Sequence, residues 1–462
     1  MTSLTSQPSH LTTQEDTICA LATAPGGALG VIRISGSNAI SITGATCRSI
    51  SATTPANTVH YTHITDSDGS VIDEAMVSIF RAPHSYTGED SVEISCHGSP
   101  YILNKALEVL VKNGCRMANP GEFTMRAYLN GKLDLSQAEA VADLIASTNR
   151  ATHRIALSQL RGQFSSELDK LRDQLLQMTT LLELELDFSD HEDLEFADRT
   201  QLMQLAQTIE KHVDQLAHTF ETGQAVKQGI PVAIVGKTNV GKSTLLNRLL
   251  KDDRAIVSDI HGTTRDTIED NIEINGVNFR FIDTAGIRET SDKIEQIGID
   301  RTYQTIDRAR IVIWMIDQWP SEEEIGEMIK RCENKKLIPL WNKSDKEGPA
   351  FPIVAQLPVF SISAKKGWNI EKLEQAIYTA ADIPHLHQTD VIVTSVRHYH
   401  ELLYVKESMR EVSDAITSGL SADLIAESLK SALDHLAAIS GKGRITPQET
   451  LNNIFSSFCV GK

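Results

Sequence analysis

The chain has 462 residues, 41% hydrophobic and 23% charged, which suits a soluble globular protein with roughly three domains and excludes one ordinary core. A formal charge of −17, from 44 Lys and Arg against 61 Asp and Glu, argues against a protein that grips nucleic acid mainly through phosphates. No apolar run approaches the ~20 residues that span a bilayer, and six scattered cysteines without a CxxC pair speak against a disulfide frame or zinc site and for a reducing cytoplasm.

Residues 1–15 are rich in Ser and Thr, lack Lys and Arg, and read as a flexible tail, not a targeting peptide. From 16 to about 125 the pattern is strand-rich: Val31–Ile34, Ala75–Phe80 and Ser91–Ile94 are punctuated by Pro25-Gly-Gly27, Asp68-Gly69 and His97-Gly98. Ser136-Gln-Ala-Glu139 reads as a capping box that opens a helix. Beyond it Leu157, Leu160, Phe164, Leu168, Leu171, Leu175, Met178 and Leu182 form one stripe, predicting a long bundle helix. The acidic run Glu183–Asp198 reads as a solvated helix face, unsuited to RNA. From Pro231 the pattern becomes α/β, with strands at Val232–Val235, Asn271–Ile274, Val277–Asp283, Ile311–Ile316, Leu337–Trp341 and Val359–Ile362, and a hairpin at Asn275-Gly276. Residues ~388–462 are helical again, with a capping box at Thr446-Pro-Gln-Glu449 and Pro447 at the first helical position. Helical sequence on both sides implies an α/β domain inserted into a helical one.

Three motifs within the α/β segment carry chemistry. Gly236-Lys-Thr-Asn-Val-Gly241-Lys242-Ser243 is a phosphate loop: its glycines let backbone N–H groups face a polyphosphate, Lys242 neutralises β/γ oxygens, and Ser243 offers a hydroxyl to Mg²⁺. Asp283-Thr-Ala-Gly286 supplies a carboxylate behind that ion. Asn342-Lys343-Ser344-Asp345 selects the base, because the Asp345 carboxylate only accepts hydrogen bonds and so suits the paired donors of guanine. GTP is the expected ligand. In Ala255–Asp266 a threonine should close over the γ-phosphate and complete the Mg²⁺ shell; Thr264 is assigned.

The position after Gly286 is Ile287, which cannot orient water. Two substitutes are visible. Glu295 could orient water directly or through a second water, or be an ordinary solvated carboxylate. Asn239 could offer its amide oxygen to a monovalent cation standing where an arginine finger's charge would act, or merely tolerate the loop's turn.

These residues resemble the MnmE/TrmE family of tRNA modification GTPases over nearly the whole chain. Besides the GTPase motifs, the likeness rests on Ala24-Pro-Gly-Gly27, Gly30–Gly36, Tyr86-Thr-Gly-Glu-Asp90, Val92-Glu93, His97-Gly98, Pro120–Ala127, Asn130–Ala140 and the ending Phe458-Cys459-Val460-Gly461-Lys462. The resemblance implies a multidomain α/β and α+β fold. Its parts would be a strand-rich N-terminal domain (16–127) that binds a tetrahydrofolate derivative and dimerises, a discontinuous helical bundle (128–225 plus 386–462), and an inserted Ras-like P-loop GTPase (226–385). It further implies a homodimer that works with the flavoprotein MnmG, expected as a heterotetramer. Together they would build an aminomethyl or carboxymethylaminomethyl group at C5 of the wobble uridine in certain tRNAs, using a methylene- or formyl-tetrahydrofolate unit, in the cytoplasm without a membrane span.

By position, K⁺ would be held by Asn239, Ser258, Ile260 (through its carbonyl) and Thr263, and Mg²⁺ by Ser243 and Thr264; the family's water-orienting glutamate falls on Glu295. The expected nucleotide contacts also include Val240, Gly241, Lys242, Thr244, Asp259, His261, Gly262, Thr284, Ala285, Ser363, Ala364 and Lys365. The folate residues carry over as Arg33, Glu93, Lys132 and Lys462. On the residues alone, a cross-strand ion pair is the plainer reading of Arg33 and Glu93. Cys459 is the candidate for thiol chemistry, with packing of a terminal helix as the plainer reading. His385-Leu-His387 and His398-Tyr-His400 lack companion ligands and read as surface histidines. The alternative function is an Era-like ribosome-assembly switch, against which stands the absence of a GxxG loop in the helical C-terminal segment.

Overall fold

In the first 146 residues, alternation of apolar and polar side chains predicts strands with one buried face, and the computed structural model shows them paired into a six-stranded sheet. The structure describes residues 16–187, 199–253, 270–282, 303–346, 348, 353–354, 356–383, 390–442, 447–456 and 458–461. Two compact units emerge: one from 1–145, 159–179 and 429–462, the other from 146–158 and 180–428.

The first unit carries β1 (Thr17–Leu21), β2 (Leu29–Ser35), α1 (Ala39–Thr46), β3 (Thr58–Thr65), β4 (Val71–Phe80), β5 (Ser91–His97), α2 (Pro100–Lys112), β6 (Cys115–Met117), α3 (Glu122–Leu129) and α4 (Leu135–Ala146). The sheet order is β3-β4-β5-β2-β1-β6, antiparallel except for the β1–β6 pair. One face, with Ile32, Ile34, Val77, Ile79, Val92 and Ile94, closes a core with α1 and α2 that includes Leu103 and Leu110. On the other face the register sets Arg33 opposite Glu93 and Tyr61 opposite Met76.

The helical stretches depart from expectation in three places. The opening of α4 is capped by Asp134, not Ser136: Asp134 Oδ1 accepts from the Gln137 backbone N–H at 2.9 Å, and Gln137 Oε1 accepts from the Asp134 N–H at 3.0 Å. Ser136 lies inside the helix, buried, its hydroxyl donating to Asp134 at 2.7 Å. The single long stripe is two helices, α5 (Arg150–Leu160) and α6 (Gln163–Asp187), because Gly162 takes φ +80° between them. Phe164, Leu168, Leu171, Leu175, Met178 and Leu182 are still buried as one stripe on α6. Near the C-terminal end, Pro447 occupies the N-cap of the helix Gln448–Phe455 and not its first turn; Thr446 lies outside the described residues.

The second unit opens with α7 (Arg199–Gln228), followed by β7 (Ile230–Val235), α8 (Lys242–Asp253), β8 (Asp270–Ile274), β9 (Val277–Phe281) and β10 (Ile311–Ile316). Then come α9 (Glu322–Arg331), β11 (Lys336–Trp341), β12 (Ile353–Val354), β13 (Leu357–Pro358), β14 (Phe360–Ser361), α10 (Ile370–Ala380) and α11 (Val396–Thr417). The order β14-β11-β10-β7-β9-β8 is parallel but for the β8–β9 hairpin, which turns at Asn275 and Gly276, both at positive φ. All six residues of Ile311–Ile316 are buried, as a strand covered on both faces requires. The central strands of this sheet aim their C-terminal ends at one edge, where an open α/β sheet receives its ligand. Leading into β7, α7 packs against α11, with Phe220 and Tyr399 stacked at 4.2 Å. His398, expected at the surface, is buried there, with one ring nitrogen 3.0 Å from the Arg397 guanidinium. Among the described residues no helix is long and apolar enough to cross a membrane.

Candidate nucleotide site and candidate folate site

The three loops that follow β7, β11 and β14 meet at that edge, and Asn342 joins them. Its side chain is buried, donates through Nδ2 to the Val240 carbonyl at 2.7 Å and accepts at Oδ1 from the Ala364 N–H at 3.0 Å. Gly241 makes the join possible: at φ +107°, a Cβ there would stand 2.3 Å from Asn342 Nδ2. Ser363 donates its hydroxyl to Asp345 Oδ1 at 2.6 Å, and that bond holds the Asp345 carboxyl below its ordinary value. The carboxylate is therefore ionised and oriented, as a reader of two guanine donors must be.

Lys242 opens α8 and folds back, its Nζ donating to the carbonyls of Gly236 (2.6 Å) and Lys237 (2.9 Å); burial lowers its pKa. Lys242, Ser243 and Thr244 form the first turn of α8, so unbonded N–H groups and the positive end of the helix face the loop. Asn239 sits at φ +60°, a backbone state that asparagine tolerates. This donor set fits a polyphosphate with Ser243 available to Mg²⁺ and Asn239 to a monovalent cation. Sequence reasoning missed two supports. Asp317, just past β10, accepts from Lys343 Nζ at 2.6 Å and pins the base-reading loop. Arg248 on α8 donates to the carbonyls of Lys365 (3.1 Å) and Ala364 (3.5 Å). The signal for Asp317 was present, an acid directly after a fully apolar strand.

Ser258, Asp259, Ile260, His261, Gly262, Thr263 and Thr264 lie outside the described residues. So do Asp283, Thr284, Ala285, Gly286, Glu295 and Lys462.

In the first unit, Arg33 brings together residues far apart in the chain. Its Nε and Nη2 contact Glu93 Oε1 at 3.0 and 2.9 Å, and its Nη1 donates to the Gly461 carbonyl at 3.2 Å. The cross-strand ion pair is thus present, and it is part of a larger cluster. Tyr86 and Phe123 lie with ring centres 5.4 and 5.8 Å from the guanidinium carbon. Lys132 Nζ donates to the Pro83 carbonyl at 3.0 Å, reaching the loop that carries Tyr86, and Asn130 Nδ2 holds the same loop at the Thr87 carbonyl (2.8 Å). Gly461, at φ +94°, lies so close to β1 that a Cβ would stand 2.0 Å from the Leu21 carbonyl oxygen. Phe455 and Phe458 pack with Met125 and Leu135, and the Cys459 carbonyl accepts from the Gly121 N–H at 3.4 Å. Cys459 is the exposed cysteine among six; the other five are buried.

A charged lattice underlies the cluster. Arg126 donates to Glu89 at 3.2 Å, to Asp16 at 2.6 Å and to Glu122 at 3.1 Å, and Arg116 reaches Glu122 at 2.6 Å. Burial pushes the Glu122 carboxyl up, but Arg116, the Asn119 N–H and Arg126 outweigh it and leave the pKa lowered. The cluster offers a carboxylate, a guanidinium and an ammonium around an aromatic wall, chemistry that fits the amide-and-amine edge and acidic parts of a reduced folate.

Comparison with known proteins finds relatives along nearly the whole chain. Residues 17–132 match the family described as the GTP-binding protein TrmE N-terminus, and residues 135–459 match the MnmE helical domain. The tRNA modification GTPase MnmE of Phocaeicola vulgatus is 50% identical over 97% of this chain and 99% of its own length. That of Bacteroides thetaiotaomicron is 51% identical over 97% and 100%, and that of Flavobacterium johnsoniae 48% over 97% and 99%. The chain belongs to the MnmE (TrmE) family of tRNA modification GTPases.

Proposed function

We propose that this protein hydrolyses GTP in the cytoplasm as part of a wobble-uridine modification of certain tRNAs. In this reading it acts as a homodimer with the flavoprotein MnmG, in a heterotetramer, and adds an aminomethyl or carboxymethylaminomethyl group at C5. The carbon comes from a methylene- or formyl-tetrahydrofolate unit. The observation that carries the proposal is the junction at Arg33, which bonds at once to Glu93, 60 residues away, and to Gly461, 428 residues away. A nucleotide switch alone has no use for such a junction, whereas a folate-dependent enzyme needs a basic and an acidic group at one site.

The division of labour follows the domains 16–127, 128–225 with 386–462, and 226–385. Arg33, Glu93, Lys132 and Lys462 hold the reduced folate, which supplies the one-carbon unit, and Cys459 stands nearest in sequence to Lys462 for thiol chemistry. Asp345 reads guanine, Lys242 and the loop N–H groups bind phosphates, Ser243 and Thr264 hold Mg²⁺, and Glu295 orients water. Asn239, Ser258, Ile260 and Thr263 would hold K⁺, whose positive charge would stand where an arginine finger's charge acts. Dimerisation is supported by the sheet face that bears Arg33: Leu29, Val59, Tyr61 and Met76 stand there with 67%, 58%, 60% and 45% exposure. The family is not that of ribosome-assembly switches, and no observation favours the Era-like alternative.

The test is mass spectrometry of tRNA nucleosides from cells lacking this protein. Loss of the C5-substituted wobble uridine, restored by the wild-type gene, is the expected result. An unchanged nucleoside profile would overturn the proposal.

A further inference from the structure

Arg33 has three polar commitments and two aromatic neighbours, and the neighbours come from different elements. Phe123 is fully buried on α3. Tyr86 comes from the loop between β4 and β5 and is 39% exposed. That loop is fastened to α3 twice: the Tyr86 hydroxyl lies 2.9 Å from Thr124 Oγ1, and Glu89 receives Arg126. Glu89 also accepts the Ser35 hydroxyl at 2.8 Å, tying the loop to β2 two residues beyond Arg33. The guanidinium is therefore flanked by two rings whose positions are set by a buried lattice.

We propose that Tyr86 is a positioning residue of the folate site, one jaw of an aromatic clamp that fixes the Arg33 guanidinium. The inference rests on the reduced-folate reading of this site. A guanidinium facing aromatic rings is attracted to their negative faces and loses rotational freedom. The consequence lies in Glu93. Both Arg33 contacts fall on Glu93 Oε1, so Oε2 keeps its accepting capacity for the amide-and-amine edge of a pterin. If Arg33 rotated freely, it could engage both carboxylate oxygens in the two-pronged pairing that Arg and carboxylates favour, and the reading edge would be blocked. Tyr86 thus acts on the ligand through Arg33 and Glu93, by preventing that pairing.

The experiment compares Tyr86→Phe and Tyr86→Leu in the full-length protein. Binding of 5-formyltetrahydrofolate is measured by calorimetry, GTP turnover and melting temperature serve as controls, and the Arg33 Nε–H resonance, assigned through Arg33→Lys, reports the clamp directly. Tyr86→Phe, which loses only the Thr124 bond, should bind within about twofold of wild type. Tyr86→Leu, which keeps apolar bulk but loses the ring, should weaken binding about fivefold to tenfold with GTP turnover unchanged. Packing alone would tolerate Leu as well as Phe, so equal binding by the two variants overturns the clamp. Wild-type protein that binds no reduced folate overturns the folate reading instead. The clamp is then judged on the Arg33 resonance, which Leu must displace and Phe must not.

Discussion

Ser363 donates its hydroxyl to Asp345 Oδ1 at 2.6 Å, so the residue proposed to read the base is oriented by a loop contributed from another strand. Because one carboxylate oxygen is used in this way, guanine recognition depends on the charge and remaining accepting capacity of Asp345. Asp345→Asn replaces an acceptor with a donor. It should weaken GTP binding roughly 100-fold while improving that of xanthosine triphosphate, whose ring offers an oxygen where guanine has an amine. Equilibrium titration with both nucleotides checks this, and an unchanged preference would refute the assignment.

Asn239 bears on the cation. Its backbone lies at φ +60°, so alanine there would introduce strain and confuse the result, whereas glycine removes the amide and keeps the backbone state. Wild-type turnover should rise several-fold when K⁺ replaces Na⁺, and Asn239→Gly should lose that difference while still binding GTP. Equal wild-type rates in the two salts would remove the cation from the mechanism.

The exposed Cys459 is held in place through its backbone at Gly121, leaving the thiol free to react. Cys459→Ser should abolish tRNA modification with GTP hydrolysis nearly intact, as read by nucleoside analysis and phosphate release on the same preparation. A serine variant that modifies tRNA normally would exclude the thiol.

The charged lattice predicts acid sensitivity. Glu122 and Asp16 both have pKa values lowered in the folded protein against ordinary values of 4.5 and 3.8. Depressed carboxylates stabilise the fold fully above their unfolded values, and that stabilisation is lost as pH falls through the folded ones. The first unit should therefore lose stability below about pH 4.5, and Glu122→Leu, which removes one member of a buried pair set, should cost about 3 kcal/mol at neutral pH. Denaturant melts at pH 7 and pH 4 check both; a pH-independent wild type would contradict the linkage.

Much of the nucleotide site was legible because its motifs are contiguous and each residue's chemistry is local: Lys242, Asn342 and Asp345 stand where their spacing implied. Strand positions were legible for the same reason. What the sequence hid was non-local. No spacing relates Arg33 to Gly461, nor Tyr86 to Thr124, and Asp317 gains its meaning only from a lysine 26 residues on. Local ambiguity accounts for the other misses. Asp134 outcompeted Ser136 as the cap by standing immediately before the first helical residue, and one left-handed glycine at 162 split a stripe that is continuous in pattern.

The close seat of Gly461 against Leu21 has a biosynthetic consequence. Leu21 and Gly461 lie far apart in the chain yet share one compact unit, so the phosphate loop and Asp345 leave the ribosome before the Gly461 carbonyl that Arg33 bonds. A product truncated before position 461 should still take up GTP yet would lack the carbonyl that Arg33 Nη1 bonds.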